Sequence, residues 1–313
     1  MKVFVFGATG FLGRALVQKM ITSGSAVSVL TRNPSRINSF WGNSVAVHVG
    51  DMSAGKHPKL SEYDVVINCA GETKDERLMR QLHVEATKKT LENLRSGDNT
   101  QWIQVSSVGV YGPQNSGVIK EDYPFNPVGE YEITKAEGEI VVHEFCENNN
   151  IPYTIIRPSN IFGNGMTNQS LAQLVRMISR NLFFYIGNPL NYKMNYVHVD
   201  DVVAAIILCM KNPAAINQDF IVSDVMDQYS FVNLVKSETG GGWAWTPVIP
   251  KYLARKLSLL AKINPKFPLS SGRLAALTNR AVYSTDKIRD QLAFTPIVGI
   301  REGLRQYCRN LAL

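Results

Sequence analysis

The chain has 313 residues, of which 45% are hydrophobic and 19% are charged, a balance that is typical of folded globular proteins and excludes a disordered chain. The length predicts one large domain with a smaller lobe, or two domains. The net charge of +7 is unevenly distributed, because residues 251–313 hold twelve Lys and Arg against three Asp and Glu, whereas residues 1–250 carry a slight acidic excess.

Strand-like and helix-like segments alternate along the first half of the chain. Short runs rich in β-branched and aromatic residues predict strands at Lys2–Phe6, Ala26–Thr31, Val45–Val49, Asp64–Asn68, Gln101–Val105 and Tyr153–Ile156. Longer stretches between them predict helices at Phe11–Ser23, Asp75–Ser96 and Tyr131–Asn149. Strands separated by helices indicate βαβ units, so the predicted fold class is α/β, with a Rossmann-type doubly wound parallel sheet.

The pattern changes after Gly163. A further strand and helix between about residues 196 and 222 are expected to complete the dinucleotide-binding domain that residues 1–163 begin. Residues 164–195 and 223–313 are expected to form a smaller, mostly helical substrate lobe. This lobe is placed over the carboxyl ends of the strands, where open α/β sheets bind ligands.

A glycine-rich loop joins the first predicted strand to the first helix. Its glycines would let the backbone approach a pyrophosphate, and the helix N-terminus would supply free N–H groups. The loop residues predicted to contact the cofactor are Gly7, Thr9, Gly10, Phe11, Leu12 and Gly13. A plain tight turn would use glycine as well, but the position between a strand and an amphipathic helix favours dinucleotide binding.

The residues at the end of the second strand bear on the choice of dinucleotide. NAD-binding proteins usually carry an acidic residue there, whereas this chain has Thr31-Arg32-Asn33. An arginine suits the 2′-phosphate of NADP, so NADP is predicted, with NAD as the alternative; Arg32 could also be only an exposed loop cation. Asp51, after the third strand, is a candidate acceptor for the adenine amino group or, alternatively, a turn or N-cap residue.

Tyr131 and Lys135 stand four residues apart and therefore on one face of the helix predicted there. A free tyrosine has a pKa of about 10, and a nearby ammonium is expected to lower it. The lysine is also a candidate to hold the nicotinamide ribose. Ser106 and Ser107 follow the fifth predicted strand, where a hydroxyl can hydrogen-bond a substrate carbonyl while Tyr131 supplies the proton. The alternatives are that Tyr131 and Lys135 form only a surface pair and that Ser106 and Ser107 only cap the end of the strand.

Several motifs occur along the chain in a recognisable order. They are Gly7-x-x-Gly10-x-x-Gly13, Ser106-Ser-x-x-Val-Tyr-Gly112, Tyr131-x-x-x-Lys135, Arg157-Pro-Ser-Asn160-Ile-Phe-Gly163, Tyr196-Val-His-Val-Asp-Asp201 and a C-terminal Asp286-Lys…Gly303-Leu304 pattern. With them the chain resembles, over nearly its whole length, an extended short-chain dehydrogenase/reductase of the NAD-dependent epimerase/dehydratase family. The resemblance implies a small substrate lobe and substrates that are mostly nucleotide-linked sugars.

The same resemblance implies roles for individual residues. Ser107 matches the catalytic hydroxyl that acts with Tyr131 and Lys135, and both of these also match cofactor contacts. Asn160 matches a position that often contacts the sugar nucleotide. Ala70, within Asn68-Cys-Ala-Gly71, is assigned to the cofactor site.

Two departures from the family pattern bear on the site. His83 stands where the family usually has Asn and is interpreted as a ligand for water or for the backbone. Met194 stands where the family has a phosphate-binding Arg. Binding of an anionic substrate would then depend on Arg273 or Arg280, or the substrate is not a nucleotide sugar.

Four functions remain open from the sequence. Arg32 favours an NADP(H)-dependent oxidoreductase that reduces a keto group of a nucleotide-linked sugar by hydride transfer, with Tyr131 as proton donor. The first alternative is a nucleotide-sugar epimerase with tightly bound NAD. The second is a reductase or dehydrogenase of a sterol-like or flavonoid-like alcohol. The third, a non-catalytic cofactor-binding subunit, is opposed by the retained Ser107, Tyr131 and Lys135.

The basic C-terminal fifth includes a predicted amphipathic helix at Pro250–Ile263. Its apolar residues recur at helical spacing at Leu253, Leu257 and Leu260, with cations largely off that stripe at Lys251, Arg255 and Lys262. Either the leucines pack on the core, or residues 250–280 form a positive surface for weak association with anionic membrane lipid. A homodimer is a further hypothesis, and nucleic acid is not expected as a partner.

The sequence also indicates the cellular compartment in which the protein is expected. The longest uninterrupted apolar run, Val202–Met210, has nine residues, which is too short for a transmembrane helix. The N-terminal segment runs straight into Gly7 without the cleavage-site pattern of a signal peptide. Scattered cysteines predict buried thiols and no zinc site, and they are Cys69, Cys146, Cys209 and Cys308. We therefore expect a cytoplasmic protein without a metal centre.

Overall fold

The computed structural model describes residues 1–240, 245–263 and 271–311. Its main sheet has seven parallel strands: β1 (Lys2–Phe6), β2 (Ala26–Thr31), β3 (Ala46–Val49), β4 (Val65–Asn68), β5 (Gln101–Val105), β7 (Tyr153–Pro158) and β11 (Gln218–Val222). The strand order is β11–β7–β5–β4–β1–β2–β3. The winding direction therefore reverses between β1 and β4, and such sheets bind ligands at this point, beyond the carboxyl ends of their strands.

Helices cover both faces of the main sheet. They are α1 (Phe11–Thr22), α2 (Pro34–Trp41), α3 (Glu76–Arg80), α4 (Thr87–Leu91), α5 (Glu130–Asn149), α7 (Val199–Cys209) and α11 (Asp286–Leu292). Alternate side chains of β1 enter opposite cores, as strand geometry requires: Val3 and Val5 pack with α1 and α7, whereas Phe4 and Phe6 pack with α4 and α5. Burial on both faces explains why β1 and β4, in the middle of the sheet, are mostly apolar.

A π-helical turn interrupts the helix that follows β4. It spans Gln81–Ala86, between α3 and α4, where the sequence predicted one continuous helix. A Cβ on Gly138 of α5 would lie 2.6 Å from the carbonyl oxygen of His83, so the two helices touch through their backbones here. Turns of this kind occur frequently at functional sites.

The other elements lie outside the main sheet. The helices are α6 (Ser170–Ser179), α8 (Gln228–Thr239), α9 (Lys251–Ile263), α10 (Ser271–Leu277) and α12 (Gly299–Asn310). Three small sheets pair β12 (Asp224–Asp227) and β8 (Asn160–Phe162) with β10 (Lys193–His198), β13 (Val248–Ile249) with β9 (Tyr185–Ile186), and β14 (Arg280–Tyr283) with β6 (Ser116–Ile119). Short 3₁₀ turns lie at residues 52–54, 60–62, 108–111, 189–191 and 213–215.

The predicted α/β class with a doubly wound parallel sheet is confirmed, and a largely helical C-terminal region is present. The strand near residues 196–199 is β10, which lies outside the main sheet and pairs with β8 and β12. The outer position beside β7 is taken by β11. Both strands are short and mix apolar with polar residues, so their sequences do not reveal which sheet each joins. The boundaries at residues 163, 195 and 222 stay a prediction.

Within the described ranges, no helix combines the length and the hydropathy that crossing a bilayer would require.

Candidate active site

At the carboxyl end of β1, the backbone of the glycine loop packs closely against itself and against the backbone of the segment that follows β4. Gly7 has a φ of +74°, and a Cβ there would lie 2.6 Å from the nitrogen of Ala70. A Cβ on Gly13 would lie 2.2 Å from the carbonyl oxygen of Gly7, so both positions require glycine. Gly10 caps α1 without a side chain, and the first turn of α1 holds no acidic residue. The helix N-terminus is therefore open to a pyrophosphate, and the loop fits a dinucleotide.

The other loop residues differ in what they can offer a cofactor. Leu12 is buried in the sheet core, so only its backbone N–H remains for a ligand. Thr9 is half-buried. Phe11 lines a cavity of about 470 Å³ together with Arg14 and Phe40. Their contacts with a cofactor stay a prediction.

At the end of β2, the side chain of Arg32 is available to bind a ligand, whereas its two neighbours are not. Thr31 and Asn33 are engaged locally, since the Asn33 N–H donates to Thr31 Oγ1 at 3.0 Å and the Asn33 side chain caps α2. Arg32 is 82% exposed, and its guanidinium lies 3.9 Å from the Asp51 carboxylate. Asp51 also accepts from the Ser53 N–H at 2.9 Å, which confirms its role as a turn cap; its contact with adenine stays a prediction. An exposed pair at this distance contributes little, so Arg32 can exchange Asp51 for a phosphate.

Ser107, Tyr131 and Lys135 converge beyond the carboxyl end of β5. The Ser107 hydroxyl oxygen accepts from the Gly109 N–H at 3.0 Å, and the Ser107 side chain lies near enough to the Tyr131 phenol to influence its pKa. Lys135 is buried and donates from Nζ to the Val105 carbonyl oxygen at 3.0 Å. Its Nζ lies 6.0 Å from the centroid of the Tyr131 ring. The arrangement offers a hydroxyl pair to a substrate oxygen, with an amine beside it.

The expected lowering of the Tyr131 pKa by Lys135 is wrong for this arrangement. Burial raises the pKa of Tyr131 to about 12 and Glu132 adds to the rise, against a smaller opposing effect of the Ser107 hydrogen bond. Burial likewise lowers the pKa of Lys135 to about 8. Desolvation penalises the charged phenolate, and it is the largest influence on the pKa of Tyr131. At neutral pH Tyr131 therefore carries the proton that a proton donor needs.

His83 is a buried backbone ligand, which confirms one of the two interpretations of its sequence position. Its Nδ1 lies 2.8 Å from Thr134 Oγ1, and its Nε2 accepts from the Glu72 N–H at 3.0 Å. Burial, followed by the charge of Lys135, lowers the pKa of His83 to about 3. The imidazole is therefore neutral in the folded protein and holds the segment after β4 against α5.

The neutral His83 predicts a loss of stability in acid. The folded protein keeps His83 neutral to about pH 3, whereas in the unfolded chain it protonates near pH 6.5. Between these values the unfolded state binds one more proton, so the free energy of unfolding falls as the pH decreases, by up to about 1.4 kcal/mol per pH unit. Urea unfolding of His83→Gln at pH 7 and pH 5 should show a shallower pH dependence than the wild type. His57→Gln, at a half-buried histidine, is the control; an unchanged slope in His83→Gln would contradict this assignment.

The fold brings two further residues to this site that the sequence patterns did not single out. A Cβ on Gly109 would lie 2.8 Å from Glu132 Cγ, and one on Gly129 would lie 2.2 Å from Glu132 Oε2, so Glu132 packs against the loop that follows Ser107. Cys69 is close enough to Lys135 for the ammonium to oppose the rise that burial gives its pKa, which reaches about 12. Glu132 adjoins Tyr131 in the sequence, but its effect depends on how that loop folds.

The residues assigned to the substrate lie on the smaller sheets and helices. Asn160 donates from Nδ2 to the Asn195 carbonyl oxygen at 3.0 Å, which ties β8 to β10. Arg280 lies 5.7 Å above the Tyr192 ring, and Arg273 donates to the Gln173 side chain at 3.3 Å. None of these contacts links the arginines to the Ser107–Tyr131 pair. Their role and that of Asn160 in substrate binding stay predictions.

A buried cluster of ion pairs adjoins Lys135 on α5. Arg157 donates from Nη2 to Glu139 Oε2 and to Asp219 Oδ2, both at 2.6 Å. Glu139 follows Lys135 by one turn of α5 and is fully buried. Ligand atoms of Glu139, His143 and Asp219 lie within 4.8 Å of one another, an arrangement that could hold a metal ion. Because the Arg157 guanidinium already supplies the positive charge, we interpret the cluster as an ion-pair network.

A parallel sheet with a glycine loop at its switch point and a Ser-Tyr-Lys trio beside it defines a dinucleotide-dependent enzyme of the short-chain dehydrogenase/reductase type. The chain belongs to the NAD dependent epimerase/dehydratase family, whose model matches residues 3–223. It is thus an oxidoreductase-type enzyme that works with a nicotinamide dinucleotide.

Similar proteins support this assignment. The chain is 26% identical over 237 residues to a UDP-glucose 4-epimerase from Vibrio cholerae, which covers 72% of this chain and 71% of that protein. The structure of a UDP-glucose 4-epimerase from Thermotoga maritima with UDP-glucose matches with a TM-score of 0.73 at 19% identity, over 98% of this chain and 97% of that one. A UDP-glucuronic acid 4-epimerase from Bacillus cereus in complex with NAD also gives a TM-score of 0.73 at 19% identity, over 100% and 98% of the two chains. The two structural matches support the fold.

Proposed function

We propose that this enzyme reduces a keto group of a nucleotide-linked sugar with NADPH. The observation that carries the proposal is the Ser107 hydroxyl beside the Tyr131 phenol, whose proton is retained because of burial. A dinucleotide held at the glycine loop would supply a hydride to the carbonyl carbon and would itself be oxidised. Ser107 would donate a hydrogen bond to the carbonyl oxygen, and Tyr131 would transfer its proton to the same oxygen. Lys135 would hold the nicotinamide ribose, and its charge would favour the phenolate left on Tyr131.

The exposed Arg32 supports NADPH as the form used. Its guanidinium can leave Asp51 for the 2′-phosphate, a charge-assisted contact that contributes roughly 1.5–3 kcal/mol. Arg32→Ala should therefore weaken NADPH binding about tenfold to a hundredfold and leave NADH binding little changed. Fluorescence titration of both cofactors measures this, with Lys19→Ala, at an exposed cation on α1, as the control. Equal losses for both cofactors would count against NADP.

A nucleotide-sugar epimerase is the second candidate, and the comparisons favour it. The relative from V. cholerae is named a UDP-glucose 4-epimerase, and the similar structure from B. cereus contains NAD. An epimerase oxidises and re-reduces one substrate, so it benefits from retaining its cofactor. Acid extraction of the purified enzyme separates the two candidates: co-purified NAD supports an epimerase. Protein that is free of cofactor, binds NADPH and consumes it with a keto sugar supports a reductase.

Met194 bears on the chemical nature of the substrate. Met194 is buried in an apolar cluster with Met226, so β10 offers no cation at this position. This observation keeps a sterol-like or flavonoid-like alcohol as a third hypothesis. A homodimer and a cytoplasmic location stay predictions.

A further inference from the structure

Helix α9 carries large apolar side chains that are exposed to solvent, on the side away from the rest of the protein. Ala254 and Ser258, four residues apart, are 0% and 7% exposed and mark the face that packs inward, where Ala254 joins a small core with Ile186 and Leu274. Tyr252 and Leu259, seven residues apart, lie on the opposite face and are 67% and 56% exposed. The solvent side of α9 is therefore an apolar stripe.

The sequence left two interpretations of this helix open. Leu257 is half-buried and packs against the small core of Ile186, Ala254 and Leu274, whereas Leu253 is 38% exposed. The side chain of Leu260 lies outside the described residues. The leucines therefore pack on the protein only in part, and the small residues Ala254 and Ser258 are the buried ones among the described side chains of α9.

Cations flank the exposed stripe on both sides. At about 100° per residue, Arg255 and Lys256 lie to either side of the line from Tyr252 to Leu259, and Lys251 lies beyond Arg255. All three cations are exposed. We call Lys251, Tyr252, Arg255, Lys256 and Leu259 the basic apolar face.

Two exposed apolar residues precede the helix in the sequence, and both line a cavity together with Tyr229. Trp245 and Val248 are 80% and 51% exposed. Single exposed apolar residues are ordinary, but a concentration of them marks an interaction site. Trp and Tyr among lysines and arginines are typical of helices that lie in the interfacial plane of a membrane.

We propose that the basic apolar face docks on the surface of an anionic lipid bilayer. Tyr252 and Leu259 would enter the boundary between head groups and acyl chains, while Arg255 and Lys256 extend their charged ends to lipid phosphates on either side. The exposed Lys251, Arg255 and Lys256 complement the negative surface of such a bilayer. The face that packs on the protein is the opposite one, so docking requires no rearrangement of α9. Docking is independent of the reaction, and its test requires neither cofactor nor substrate.

Co-sedimentation of the full chain with vesicles tests the proposal. One set contains equal parts of phosphatidylglycerol and phosphatidylcholine, and the other contains phosphatidylcholine alone. We expect binding to the anionic vesicles at low ionic strength, with strong weakening at high ionic strength because salt screens exposed charges. The triple variant Lys251→Gln/Arg255→Gln/Lys256→Gln should lower the partition coefficient on the order of a hundredfold. Tyr252→Ser/Leu259→Ser should lower it at least about tenfold, since it removes most of the inserted apolar area.

A matched control removes three exposed cations elsewhere, at Lys59, Lys88 and Lys89. The triple glutamine variant at these positions should bind vesicles as the wild type does, and unchanged thermal unfolding should show that every variant is folded. Absence of binding to anionic vesicles at low ionic strength would overturn the proposal, as would equal binding by all variants. A solution dimer that only the α9 variants dissociate, without vesicle binding, would overturn it in favour of an interface between copies of this chain.

Discussion

Replacing Tyr131 with Phe should lower turnover at least about a hundredfold, the usual effect of removing a general acid. The phenylalanine keeps the half-buried ring but removes the hydroxyl that lies near Ser107. The glycine loop is untouched, so the binding of the dinucleotide should be retained. Steady-state kinetics on the keto sugar, together with cofactor titration, measure both effects.

Tyr123→Phe is the matched control, because the Tyr123 ring is partly exposed and its hydroxyl donates to the side chain of Gln114, away from the catalytic trio. It should leave turnover near the wild-type value. Near-normal turnover of Tyr131→Phe would refute the assignment of Tyr131 as proton donor. A loss of cofactor binding in that variant would instead indicate a positioning role.

Replacing Arg157 with Met should lower the free energy of unfolding by about 3–5 kcal/mol, the usual cost of leaving a buried charge without its partner. Glu139 is fully buried and takes Arg157 as its cation. Burial raises the pKa of Glu139 even though the arginine opposes the rise. Without Arg157 the carboxyl would take up a proton more readily, so the loss should shrink as the pH falls.

Urea unfolding of three variants makes this test specific. The first, Arg157→Met, measures the loss itself. Arg157→Met/Glu139→Leu replaces the pair with apolar groups and should recover part of the lost stability. Arg289→Met removes an arginine from a surface pair with Asp286 and should leave stability close to that of the wild type. If Arg157→Met lost no more than Arg289→Met, or if the double variant were no more stable than the single one, the ion-pair network would not stabilise the fold.

Local patterns were sufficient to predict much of the main sheet. The strands β1–β5 and the start of β7 follow from short apolar runs, because a strand buried on both faces must be apolar at successive positions. The glycine loop was predictable for a similar reason, since Gly7 and Gly13 occupy positions that no side chain can enter. Tyr131 and Lys135 share a helix face through their spacing alone.

Other features depend on contacts between distant segments. The placement of β10 in a small sheet depends on its partners β8 and β12, which its own short sequence does not specify. The leucine spacing also did not predict that Ala254 and Ser258 are the buried residues of α9 while Leu253 is exposed.

The sequence by itself therefore determined the fold class and predicted the dinucleotide loop and the group of Ser107, Tyr131 and Lys135, because each rests on local spacing, on backbone space or on the family resemblance. Only the tertiary structure decided the protonation of that trio. Whether Tyr131 and His83 carry a proton at neutral pH depends on how far packing excludes water from them. The sequence places the lysine charge near Tyr131. The hydrogen bond from Lys135 to the Val105 carbonyl oxygen and the burial of both side chains, however, arise only when the sheet and α5 pack together. Desolvation outweighs a single nearby charge under these conditions, and it is a property of the packed protein.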